Sequence, residues 1–165
     1  MRTTLVATWM LLGFTRGALA EEPDLAAIEA QKPKEITQPP REGDPFLEAG
    51  RRIFFARCAP CHGVRGAGDG PAAAYLDPRP RDFTTGQFKF RTTRTGEFPT
   101  DADLFRTVSQ GVPGTAMPAW GEGTFRLSGK ERWQAIYFVK HLARDFWNPD
   151  FDPYGKTSEG TPRVV

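Results

Sequence analysis

The chain has 165 residues and two cysteines, Cys58 and Cys61, three apart in RCAPCHG, with His62 directly after the second. Several chemistries use two thiols at this spacing. A redox dithiol is one, and a disulfide in an exported protein is another. Half of a zinc site is a third, yet zinc typically takes four ligands, and the chain offers two Cys, two His and no second C-x-x-C. None of these gives His62 a task. Covalent haem attachment does. The thiols add to the two vinyl groups as thioethers, the spacing keeps both on one side of the ring, and the next residue presents an imidazole to the iron.

A second axial position needs another donor. Met1 and Met10 lie in the first twenty residues, so Met117, in GVPGTAMPAWG, is the methionine left for it. A lone Met is more often core filler, but this one sits in a Gly/Pro-rich loop and not on an apolar helix stripe. Pro113, Gly114 and Pro118 stiffen that loop, which is the support a weak thioether bond requires. The competitor is His141. On the last predicted helix it shares a sector with Lys130, Gln134, Arg144 and Asp145. It also lies near a helix C-terminus, where a cationic imidazole is favoured, and it reads as a surface residue.

Three helices must position these groups. The first is DPFLEAGRRIFFARC, with Asp44 as N-cap and Pro45 at the first helical position. The second is TDADLFRTVSQG, opened by a Thr100/Asp103 capping box, striped by Leu104, Phe105 and Val108, and ended at Gly111. The third is SGKERWQAIYFVKHLARDFW, opened by Ser128 and Glu131, with Trp133, Ile136, Tyr137, Val139 and Leu142 on a wide apolar face. A short helix fits residues 71–76, and QFKF at 87–90 alternates as a brief strand would. The fold class expected is all-α: helices and loops wrapped around one haem.

Around this domain, expected over residues 45–147, the chain changes character. Residues 1–20 have an early Arg, a short apolar run and a closing Ala-Leu-Ala, the pattern of a cleaved secretory signal. The apolar run is short for a membrane span. With no Cys at the cleavage point, a lipid anchor is not available there. Residues 21–44 carry seven acids and three bases, are rich in Pro, and read as a flexible leader. Residues 45–145 carry fifteen bases and ten acids, a face suited to an acidic partner. No Lys/Arg cluster with interleaved aromatics points to nucleic acid. Residues 148–165 read as a tail that Phe151 and Tyr154 pin loosely to the domain.

With GRRIFFARCAPCHG, GAGDGP, GTAMPAW and ERWQAIYFVKHL on one chain, the sequence resembles the class I c-type cytochromes, small monohaem electron carriers, over about residues 46–145. The resemblance implies that the first and last helices cross at Gly50 and Phe54 against Trp133 and Tyr137. It implies a proline carbonyl accepting the hydrogen bond of the proximal His ring; Pro71 matches best, with Pro78 and Pro80 as substitutes. PRPRDFTTGQFKFRT is similar to a bacterial subset found beside respiratory or molybdenum enzymes, and it suggests Arg79 or Arg81 for a propionate and Trp120 beside the ring. The expectation is then a non-enzymatic, extracytoplasmic, periplasmic electron-transfer protein. It would cycle Fe(III)/Fe(II) at a haem ligated by His62 and Met117, as a carrier or as a subunit of a respiratory redox complex. Its partners would be redox proteins, a membrane-bound respiratory complex among them, and the mature chain would carry no transmembrane helix. The alternative is a haem enzyme or gas sensor with a labile distal Met.

Overall fold

The computed structural model describes residues 24–41 and 43–148. The expected signal and nearly all of the expected tail lie outside the described residues. The described chain is helical: α1 (Leu25–Ala30), α2 (Pro45–Arg57), α3 (Ala59–His62), α4 (Asp101–Gln110) and α5 (Gly129–Leu142), with 3-10 turns at Lys34–Thr37, Ala73–Tyr75 and Arg144–Trp147. No strand occurs among the described residues, and QFKF is irregular chain that buries Phe88. The expected helix over 71–76 shrinks to the 3-10 turn at Ala73–Tyr75.

The predicted caps form. The Asp44 carboxylate accepts from the Phe46 and Leu47 amides at 2.8 and 3.4 Å. Both capping boxes, Thr100/Asp103 and Ser128/Glu131, are complete. Gly111 closes α4 at φ 67°, a left-handed value that suits glycine.

Helices α2 and α5 cross at Gly50. A Cβ there would lie 2.0 Å from the Gln134 carbonyl oxygen and 3.3 Å from Phe138 Cβ, so only glycine permits this approach. Phe54 packs on Phe138 with ring centroids 5.2 Å apart. The partners at the crossing are therefore Gln134 and Phe138. Trp133 and Tyr137 have other contacts: Trp133 stacks on Phe105 of α4 at 4.3 Å, and Tyr137 meets Phe46 edge-on at 5.7 Å. Gln134 is buried and not on the polar face, because its own main chain carries the close contact.

The leader expected to be flexible is packed down over residues 24–41. Ile36 is fully buried and Ile28 packs against the core. The reason was invisible to composition, since the leader docks through a single buried isoleucine and through main-chain carbonyls. Lys140, only 3% exposed, donates to the Ile36 carbonyl at 2.7 Å and to Asp101 Oδ1 at 2.7 Å. The Tyr137 hydroxyl lies 3.1 Å from the Gln38 carbonyl and 3.2 Å from Asp44 and shares its one proton between these two acceptors. Lys32 reaches Asp101 Oδ2 at 3.2 Å and also pairs with Glu29. Buried polar tips need partners, and the leader supplies carbonyls to two of them.

Candidate haem-binding site

The motif sits where α2 passes into α3. Cys58 is the residue between the two helices, and its amide still bonds the Phe54 carbonyl at 2.8 Å. Cys61 and His62 follow on the single turn of α3, so both thiols and the imidazole leave one turn of backbone. Both cysteines are free and half-buried. Burial, with the neighbouring Cys61 charge, pushes the Cys58 thiol up to about 12.

A short helix ends with exposed carbonyls, and here the glycine-rich loop after it covers all four. Ala59, Pro60, Cys61 and His62 carbonyls accept from the Gly63, Ala72, Gly70 and Gly68 amides at 2.8, 3.0, 3.1 and 2.9 Å. A Cβ at Gly70 would lie 2.5 Å from the Pro60 oxygen and 2.6 Å from the Ala59 oxygen. The loop therefore braces the turn that carries the thiols.

The loop then brings residues 79–83 onto the imidazole. His62 Nδ1 lies 3.0 Å from the Arg81 carbonyl oxygen. A carbonyl only accepts, so Nδ1 carries the hydrogen and Nε2 keeps its lone pair. The Phe83 ring stacks on His62 at 4.5 Å. Burial lowers the pKa of His62, which favours the neutral, ligating form, while the bond to Arg81 acts the other way. The acceptor is thus Arg81, not Pro71. Pro71 is exposed, held at the turn where the Ala72 amide bonds back to Pro60. A backbone carbonyl has no side-chain signature, so no sequence pattern could have picked out Arg81 for this task. Phe83 stood in the quoted PRPRDF stretch without being singled out.

Met117 is half-buried on the loop between α4 and α5. Its carbonyl accepts from Val112 at 3.1 Å and its amide donates to Thr115 Oγ1 at 3.2 Å. A cavity of about 380 Å³ is lined by Ala56 and Arg57, just before Cys58, and by Pro118, Ala119 and Trp120, just after Met117. The C-terminal end of α2 and the Met117 loop thus face a common space. His141 is exposed on α5. Arg79 and Arg81 also have exposed side chains. Two thiols on one turn and an imidazole that keeps its Nε2 lone pair fit a covalently held haem, while the cavity is lined by the chain neighbours of Cys58 and Met117 and not by Cys58, Cys61, His62 or Met117 themselves.

Comparisons with known proteins bear on the same residues. The family model described as cytochrome c oxidase, cbb3-type, subunit III matches residues 45–139. A search of curated proteins finds no match. Among solved structures, the chain is similar to one from the reducing HAO-like protein complex of Kuenenia stuttgartiensis, at 36% identity and a TM-score of 0.58, covering 72% of this chain and 48% of that one. The chain therefore spans about half the length of that relative. It is similar in fold to cytochrome CL from the marine methylotroph Methylophaga aminisulfidivorans, at 15% identity and a TM-score of 0.51, covering 92% of this chain and 91% of that one.

Proposed function

The chain belongs to the cytochrome c family of cbb3-type oxidase subunit III, and so to the class I c-type cytochromes, and from that premise we propose that it passes single electrons at a His/Met-ligated haem outside the cytoplasm. Its cofactor is haem c, covalently attached through Cys58 and Cys61, and its role is redox electron transfer. When bound, the haem supplies a one-electron Fe(III)/Fe(II) couple.

The observation that carries the reading is the bond from His62 Nδ1 to the Arg81 carbonyl at 3.0 Å. It fixes the tautomer, aims Nε2 as a ligand and raises its basicity, as such supporting bonds to metal-bound histidines do. We assign the second axial position to Met117. The main-chain bonds about that residue and the cavity beside Pro118 support the assignment. A thioether opposite an imidazole favours the ferrous state and raises the potential. We assign Trp120, which lines the same cavity, to the side of the ring, and Arg81, with Arg79, to a propionate.

Export is the reading of residues 1–20 and of the attachment chemistry. Among the described residues no helix is long and apolar enough to cross a membrane. The likeness to one chain of a redox complex supports a partner-bound role, as a subunit or a dedicated carrier.

Absorption spectra test this. Ferric wild type should show the sulfur-to-iron charge-transfer band, and the ferrous form should ignore carbon monoxide. Met117→Ala should lose the band and bind carbon monoxide. A wild type that lacks the band and binds carbon monoxide readily has an open position, and the reading gives way to a haem enzyme or gas sensor.

A further inference from the structure

We propose that Arg132 is a positioning residue for the Met117 loop: its guanidinium, bonded to Ser109 of α4 beside Gly121, sets how often that loop opens. The inference rests on Met117 being the axial ligand.

Arg132 lies in the first turn of α5, the helix end that disfavours a cation. It is partly buried, its Nε is enclosed with no partner among the described residues, and burial lowers its pKa. A neutral side chain would avoid each of these costs. The guanidinium is directed instead at the C-terminal turn of α4, where a cation is favoured. Nη1 donates to Ser109 Oγ, and the group lies 4.5 Å over the Phe105 ring. Ser109 Oγ passes the constraint on by donating to the Phe105 carbonyl at 2.6 Å.

That turn is where the methionine loop is tied down. The Ser109 carbonyl accepts from Gly121 at 2.9 Å, and the Val108 carbonyl accepts from Trp120 at 3.1 Å. A Cβ at Gly121 would lie 3.2 Å from Arg132 Nη1, so the loop passes beside the guanidinium. Arg132 of α5 thus bonds α4 at the turn to which Gly121, four residues along the chain from Met117, is tied. A residue that acts through this tie governs a local opening, not the whole fold.

Imidazole binding to the ferric holoprotein reads the opening, because imidazole takes the iron only when Met117 has left. Its apparent affinity scales with the open fraction. Arg132→Gln should tighten imidazole binding by about ten- to a hundredfold, the worth of a charge-assisted hydrogen bond. Ser109→Ala should move it the same way by less, and the double variant should add little to Arg132→Gln, since both cut one link. Arg132→Lys keeps the charge but not the fork and should behave more like Arg132→Gln than like wild type. Lys130→Gln, the same charge change at an exposed site on the same helix, should leave the affinity unchanged.

Unchanged affinity in both Arg132→Gln and Ser109→Ala, with the charge-transfer band intact, overturns the role of Arg132 and leaves Met117 as ligand. A loss of global stability in urea with no gain in imidazole affinity also overturns it, since Arg132 is then only structural. A wild type without the band removes the Met117 reading, and this inference with it. Should Arg132→Gln fail to fold, Ser109→Ala decides alone.

Discussion

Gly70 has room for a hydrogen and nothing larger. A methyl group there would meet the Pro60 and Ala59 oxygens and the Cys61 carbonyl carbon within 2.7 Å, all of them main-chain atoms of the turn that bears the thiols. Main chain yields less readily than the end of a side chain, so Gly70→Ala should cost about 3 kcal/mol, the upper end for overpacking, in urea unfolding of the holoprotein. Gly114→Ala meets open space and answers only for its φ of 79°, about 1–2 kcal/mol. If Gly70→Ala proves no costlier than Gly114→Ala, the loop does not brace the motif. GAGDGP stood out in the sequence, but only as a pattern. That its amides cover the end of α3 depends on where the chain turns back. Cys58, Cys61 and His62 were legible because chemistry fixes their types and spacing. The Arg81 carbonyl was not, because any residue type provides one.

At the scale of elements, α2, α4 and α5 were legible because caps and apolar stripes are local. The N-terminal segment was misread because its attachment is not. A chain rich in Pro and charge normally has too little apolar surface to stay down. Here one isoleucine is fully buried, and the segment's carbonyls meet Lys140 and Tyr137 of α5, about a hundred residues along the chain. Pairs so distant leave no periodic signal. Ile36→Ala tests the packing directly. It should cost about 3 kcal/mol in urea unfolding, as truncation of a fully buried isoleucine does. A flexible leader would lose nothing, and a change within about 0.5 kcal/mol, the range for surface sites, would mean that the segment is free in solution.

Over the whole molecule, two buried groups tie distant parts together and set opposite limbs of the pH dependence of stability. Asp103 is fully buried, capping α4 and holding Thr92 of the preceding loop at 2.9 Å. Burial pushes its carboxyl up, but the amides and hydroxyls of Thr92 and Thr100 outweigh that and hold it below the usual range. Its contribution is complete above the unfolded value of about 3.9 and is lost as pH falls through the lower folded value. Tyr137 joins the N-terminal segment to the start of α2, and burial with the Asp44 charge pushes its phenol up to about 12. A raised folded value has the opposite sign. The contribution is complete below the unfolded value of about 10 and is lost as pH rises toward the folded one, on the order of 2 kcal/mol in all. Lys32 and Lys140 flank Asp101, with pKa values shifted up and down respectively, so their alkaline slopes have opposite signs. Tyr137→Phe should therefore cost about 1 kcal/mol at neutral pH, yet lose less stability than wild type between about pH 10 and 12. Asp103→Asn should flatten the acid limb and leave the alkaline one alone. Urea unfolding across the pH range measures both. If Tyr137→Phe follows the wild-type alkaline slope, the phenol is not what fastens the N-terminal segment to the domain, and the bond from Lys140 Nζ to the Ile36 carbonyl is left to hold it.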